Sequence, residues 1–173
     1  MVKKIFSYSL SGNNTLLAES IAKNLNINHI IIKEDKPRSI WKTAFDMLFN
    51  RTPEIIISED YKDSGELTIF IAPIWMGKIA SPIKALIKKI KTNIDNYIFI
   101  SISGGADGPN SKIKDELVKL TGKNPVAVIN PLLASLPVWE FRPKRKHTMD
   151  YKLNIEDVKH ITTEVISKLK EID

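Results

Sequence analysis

LTIFIAPIW, Leu67 to Trp75, decides how this sequence folds. It opens with a continuous apolar run, the mark of a strand buried on both faces; a strand with one wet face alternates instead. Ser81-Pro82 follows, with Ser as N-cap and Pro in the first turn, which predicts a helix start. Ile83, Leu86, Ile87 and Ile90 then recur at i, i+3, i+4 and i+7, one apolar helical face. A buried strand, a short loop and an amphipathic helix make up the repeating unit of a parallel sheet.

The same alternation extends in both directions. Val2 to Tyr8 is rich in β formers, and Leu17, Ala18, Ile21, Ala22 and Leu25 then fall at helical spacing. His29 to Ile32 is the next strand. Trp41, Ala44, Phe45, Leu48 and Phe49 trace a helical face that Asn50-Arg51-Thr52-Pro53 stops. Glu54 to Ile57 is either extended or packed beneath the sheet. Downstream come a buried strand, Tyr97 to Ile102, and a helix with Ile113, Leu117 and Leu120 on one face, closed by Gly122. Val126 to Ile129 is a fifth strand, and Asn154 caps a last helix whose inner face is Val158, Ile161, Val165 and Leu169. This pattern predicts an α/β fold with a five-stranded parallel sheet, helices on both faces, and one domain over residues 1–173.

Composition narrows the classes. The 173 residues are 43% apolar and 27% charged, ordinary for a globular protein large enough to bury a core. No window approaches the 18 or so apolar residues of a membrane span, and MVKKIFSYSL lacks the features of a signal peptide, so a cytoplasmic protein is expected. The absence of Cys removes thiolate metal sites and Cys nucleophiles. The net charge of +6 arises mostly from Lys spread over helices that also carry acids. Only Arg142 to His147 is dense; it reads as a solvated loop, and nucleic-acid binding is set aside.

Ligands of a doubly wound sheet bind beyond the carboxyl ends of its strands, where the strand order reverses. Three loops there carry the candidate chemistry. In the first, Ser9, Ser11, Gly12, Asn13, Asn14 and Thr15 crowd hydroxyls and amides before a helix N-terminus, a ready anion site. Capping alone requires one such residue. Neither G-x-x-x-x-G-K-[ST] nor G-x-G-x-x-G is present, which argues against a P-loop nucleotidase and a dinucleotide fold. In the second loop, Pro73, Ile74, Trp75, Met76, Gly77 and Lys78 set a large aromatic and a soft Met directly after a buried strand, suited either to core packing or to a flat ring. The third holds Ser103, Gly104, Gly105 and Asp107, with glycines that let the backbone approach a ligand closely.

Together these segments resemble the flavodoxin-like FMN proteins, over nearly the whole chain. Ser9-Leu10-Ser11-Gly12-Asn13-Asn14-Thr15 is similar to the family's phosphate loop, with Asn14 standing where Thr is usual. Ala72-Pro73-Ile74-Trp75-Met76-Gly77 with Ser81-Pro82-Ile83-Lys84 is similar to the P-[IV]-W-x-G…P-x-[VI]-[KR] segment of its quinone-reductase-like members. Ser101 to Gly105 resembles the loop beside the flavin's pyrimidine side. The resemblance implies a strand order of 2-1-3-4-5 and an FMN-dependent oxidoreductase passing electrons or hydride through the flavin. NAD(P)H, a quinone or a redox protein would be its partner, and the protein would be a monomer or homodimer. It implies no catalytic acid or base and no metal, and makes the peptide around Gly77 a partner of the flavin's central nitrogen. Lys78 would favour a negatively charged reduced flavin. Two alternatives are an electron-transfer flavodoxin without its own substrate, against which the basic charge speaks, and a flavin-free interaction module.

Elsewhere, His160 with Glu156 and Glu164 at i±4 is read as an ion-paired helix face. His29, His147 and His160 fall in separate elements and form no Ser-His-Asp set. Ala134 to Met149 is a long connection of the kind used as a lid or partner surface, and Trp139 within it is a candidate to reach the flavin edge.

Overall fold

The computed structural model describes residues 2–36, 49, 51–57, 67–75, 77–105 and 112–172. Met76, Asp107 and the helical face expected from Trp41 to Leu48 lie outside the described residues.

Five parallel strands form the central sheet: β1 (Val2–Ser7), β2 (Asn28–Ile31), β5 (Leu67–Ile71), β8 (Asn96–Ile100) and β9 (Ala127–Ile129). Their order is β2-β1-β5-β8-β9, which is 2-1-3-4-5 when these five are counted along the chain. The expected topology is therefore the observed one. α1 (Asn13–Leu25) follows β1, α2 (Ser81–Ile90) follows β5, and α3 (Ile113–Thr121) lies between β8 and β9. α4 (Arg145–Met149) and α5 (Ile155–Lys170) complete the chain. No helix among the described residues is long and apolar enough to cross a membrane.

Strand alternation sorts the core into two chemistries. Ile5, Ile69, Ile71, Ile98, Ile100 and Ile129 face α1 and α5, against Leu17, Ile21, Ile161 and Val165. Phe6, Phe70, Tyr97 and Phe99 face α2 and α3, against Ile83, Leu86, Ile87 and Leu117. On that side Phe6 stacks on Phe70 at 5.9 Å, and Phe70 meets Tyr97 edge-on at 6.1 Å. A one-residue register slip would exchange the aliphatic and aromatic faces under fixed helices, so the packing pins the register.

Local chemistry sets several helix ends. Asn154 caps α5, its Oδ1 accepting the Asp157 N–H at 2.9 Å while Asp157 Oδ2 accepts the Asn154 N–H at 3.1 Å. Gly122 closes α3 through its N–H to Val118 O at 2.8 Å. The N-cap of α2 is Ala80, so Ser81 sits one residue inside the helix expected to start on it.

Two short ribbons depart from the simple alternation. β3 (Lys33–Glu34) pairs antiparallel with β4 (Ile55–Ile56), which places the unassigned Glu54 to Ile57 stretch beside the sheet in extended form. β6 (Ile74–Trp75) pairs antiparallel with β7 (Lys78–Ile79), so the run from Leu67 to Trp75 is not one strand. The main strand ends at Ile71, and the chain turns into a separate hairpin.

Candidate functional site

The parallel topology brings the ends of β1, β5 and β8 to one edge, and the order reverses between β1 and β5. Loops Ser9–Thr15, Pro73–Lys78 and Ser103–Gly105 therefore leave the sheet side by side. Their sheet ladder runs on past the strands: Tyr8 N–H bonds Ile71 O, and Ala72 N–H bonds Ile100 O.

In the first loop Ser9 Oγ accepts the amides of Gly12, at 2.9 Å, and Asn14, at 3.2 Å. Ser9 Oγ thus caps the first amides of α1, whose N-cap position is Gly12. Gly12 takes φ 96, and a Cβ built there meets nothing within 4 Å, so the space over the helix start is open. The first turn of α1 carries no acid. Among the described residues, the amide N–H groups of Asn13 and Thr15 have no hydrogen-bond partner. They are the orphan donors of a helix terminus, and they point a partial positive charge outward.

The two Asn side chains also bond to neighbouring segments. Asn13 and Asn14 are 6% and 3% exposed. Asn13 Nδ2 donates to Tyr151 O at 2.8 Å, and its Oδ1 accepts the Leu153 N–H at 3.1 Å. Asn14 Oδ1 accepts the Ile102 N–H at 3.0 Å. Asn13 ties the loop to the segment entering α5, and Asn14 ties it to the end of β8. These amide groups are struts between loops. Leu10 and Ser11 are exposed on this loop, and Thr15 is half-buried.

The second loop carries the antiparallel ribbon of β6 with β7. Trp75 is half-buried, packs on the aromatic core and meets Tyr8 edge-on at 5.7 Å. Tyr8 in turn donates its hydroxyl to Glu34 Oε1 at 2.8 Å. Gly77 and Lys78 at the tip are exposed. Ile79, at its foot, is fully buried, and its N–H is taken by Glu116 Oε2 at 2.8 Å. Glu116 also pairs with Lys84, a buried cation in the first turn of α2. Sequence reasoning passed over Glu116: an acid in the first turn of α3 reads as a dipole partner, and only the approach of α3 to β7 gives it another use.

The third loop is pinned by its neighbours. Ser103 N–H bonds Pro131 O at 3.2 Å, Leu133 N–H bonds Ser103 O at 2.9 Å, and Ala134 N–H bonds Gly104 O at 3.1 Å. Ser103 Oγ reaches Asn130 Oδ1 at 3.2 Å, and Asn130 Nδ2 donates to Ser101 O. A Cβ on Gly104 would lie 2.6 Å from Thr148 Oγ1, and one on Gly105 would lie 2.7 Å from Leu132 Cβ. At both positions a Cβ would press on neighbouring protein atoms, so each glycine lets the loop pack closely against Thr148 or Leu132.

Ala134 to Met149 has structure of its own. A 3₁₀ turn at Leu133–Ser135 leads to Trp139, whose Nε1 donates to Leu133 O at 2.6 Å. The indole packs on Tyr151 at 5.1 Å and stacks with His147 at 6.5 Å. It packs, partly buried, against the aliphatic core under α1 and α5. The basic run is half helical, since Arg145 to His147 lie in α4, and Pro143 between its cations is buried.

Titrating groups lie around these loops. Burial holds the His29 imidazole below its usual range, against the opposing charge of Glu19, and its Nε2 is 2.7 Å from Ser7 Oγ. Burial, then the hydrogen bond and charge of Asp157, push the Tyr151 hydroxyl up to about 12. On the last helix Glu164 pairs with Lys168 at 2.6 Å, and among the described residues no three His, Asp or Glu gather as a metal site. A groove also runs between α1 and α5, lined by Leu16, Ser20, Val158 and Thr162, along helix sides and away from the strand ends.

Comparison with solved structures decides the architecture. A flavoprotein from Lactobacillus acidophilus NCFM, crystallised in complex with FMN, superposes with a TM-score of 0.63 at 24% identity, over 75% of this chain and 92% of that one. The fold is flavodoxin-like. The apo-form of the flavoprotein from the same organism, solved by NMR, gives 0.55 at 20% identity, over 76% of this chain and 93% of that one. At these identities the likeness speaks for the fold. No family model matches the chain, and no curated protein matches it. In a flavodoxin-like sheet the three loops above line the edge at which the strand order reverses, the place where such sheets bind ligands.

Proposed function

We infer that this chain is a single-domain, cytoplasmic flavoprotein that holds FMN at the three loops and serves as an oxidoreductase. The observation that carries the reading is the open N-terminus of α1. Over Gly12 there is space, among the described residues the Asn13 and Thr15 amides have no partner, and no acid stands in the first turn. That donor set suits a phosphate monoester. Ser9, Ser11, Gly12, Asn13, Asn14 and Thr15 form the phosphate end, Asn13 and Asn14 acting through their backbone and as struts. Pro73 to Lys78, including Met76, and Ser103 to Gly105 with Asp107 flank the ring, the Gly77 peptide serving as its hydrogen-bonding partner. Bound FMN supplies electron or hydride transfer, and the protein supplies binding, orientation and electrostatics.

The net charge of +6 favours an enzyme with NAD(P)H and a quinone or redox-protein acceptor over a carrier that needs an acidic surface for basic partners. Titrating FMN with the purified chain tests the cofactor: quenching of its fluorescence at micromolar concentration is expected. Steady NAD(P)H consumption with a small quinone then separates an enzyme from a carrier. An unquenched titration overturns the reading and favours a flavin-free interaction module.

A further inference from the structure

Hairpin β6–β7 stands apart from the main sheet, and its ladder is the two pairs Ile74 with Ile79 and Trp75 with Lys78. A two-stranded ribbon of that size does not hold its shape alone in water. Contacts outside it must fix the angle at which Trp75 and Gly77 leave the sheet edge. Ala80 N–H closes the base on Pro73 O at 3.1 Å, and Trp75 leans on Tyr8. A further tie comes from α3. Glu116 Oε2 takes the Ile79 N–H, while Oε1 contacts the Lys84 ammonium. The Lys84 side chain is 6% exposed and that of Glu116 is 21% exposed. Lys84 belongs to the first turn of α2, its own N–H bonded to Ala80 O. One carboxylate therefore joins β7, α2 and α3.

Stability is a poor explanation for this arrangement, since a buried ion pair seldom outperforms apolar side chains of the same volume. Geometry is a better one. Among the described residues one carboxylate oxygen holds the Ile79 N–H and the other the Lys84 ammonium, from two different elements, which holds the hairpin foot against α2 and α3.

We propose that Glu116, neutralised by Lys84, is a positioning residue that sets hairpin β6–β7 against α3 so that Trp75 and Gly77 meet the flavin ring. The proposal rests on the FMN reading above and adds to it a control point on α3, outside the three loops. Phosphate binding at α1 is independent of it. The site thus divides into a phosphate end fixed by Ser9 and Asn14 and a ring end fixed by Glu116.

Riboflavin, which lacks the phosphate, isolates the ring end, and inorganic phosphate isolates the other. Glu116→Ala is expected to speed exchange of the Ile79 amide by roughly 10- to 100-fold, the worth of a hydrogen bond to a charged acceptor. It should weaken riboflavin and FMN by a similar factor and leave inorganic phosphate unchanged. Glu116→Gln should fall between, because its amide can accept from Ile79 but turns a donor toward Lys84. Lys84→Met with Glu116→Gln removes that conflict and should restore both the slow exchange and the riboflavin affinity, which also guards against a variant that merely fails to fold. A Glu116→Ala protein that binds riboflavin as the wild type does overturns the proposal and leaves the FMN reading standing. A wild-type chain that binds no FMN overturns the FMN reading, and the proposal with it.

Discussion

Replacing Asn14 by Ala isolates the strut between the first and third loops. Asn14 is 3% exposed, and its Oδ1 accepts the N–H of Ile102, itself 6% exposed, at 3.0 Å. Ala removes the acceptor and leaves a buried amide with no partner, at a cost of about 1–3 kcal/mol. Ala is also the better helix former, which offsets about 0.5 kcal/mol of that loss. The net expectation is a loss of about 0.5–2.5 kcal/mol, or a fall of about 1–10 °C in Tm for a domain of this length. Urea and thermal unfolding followed by far-UV circular dichroism measure it. Asn14→Asp is the companion variant. Its carboxylate still accepts from Ile102 and sits favourably at a helix N-terminus, so stability is kept. The added negative charge beside an anion site should weaken FMN by about tenfold or more. One substitution thus costs stability and the other costs ligand. An Asn14→Ala protein with an unchanged unfolding midpoint refutes the strut.

Two further outcomes follow from the same geometry. Gly105→Ala should destabilise more than Gly12→Ala, each measured by urea unfolding. Both sites have positive φ and share a left-handed cost of about 1–2 kcal/mol, but only at Gly105 does the new Cβ strike Leu132, at 2.7 Å. Of the four tyrosines, Tyr151 should titrate near pH 12 by tyrosine-resolved NMR, and Asp157→Asn should bring it back toward 10. Its folded pKa lies above its unfolded one, so its stabilising contribution is whole below about pH 10 and is lost as pH rises through about 12. Tyr151→Phe should flatten that alkaline loss.

The parts of this fold legible in the sequence are those governed by one-dimensional periodicity. Ile5, Ile69, Ile71, Ile98 and Ile100 alternate with Phe6, Phe70, Tyr97 and Phe99 because successive strand residues face opposite sides. The helical stripes of α1, α2, α3 and α5 follow the same logic at 3.6 residues. With short right-handed crossovers, that pattern leaves few sheets to choose from, and the loops at their carboxyl ends come with the topology. Gly122 and Asn154 were readable because a cap bonds within its own turn.

Polar partnerships were not readable in this way. Asn13 and Asn14 look like ligand donors in a loop full of donors, yet their partners are Tyr151, Leu153 and Ile102, about 90 to 140 residues away along the chain. Gly104 and Gly105 advertise close approach without saying to what; Thr148 and Leu132 answer that only after α4 and the segment after β9 fold over the loop. Glu116 gave no signal at all. Burial periodicity is carried by each residue's own hydropathy, so the sequence alone determined the sheet, its helices and the edge where a ligand would sit. A hydrogen bond needs a second atom within about 3 Å at the right angle, and only the tertiary structure decided which atoms those were.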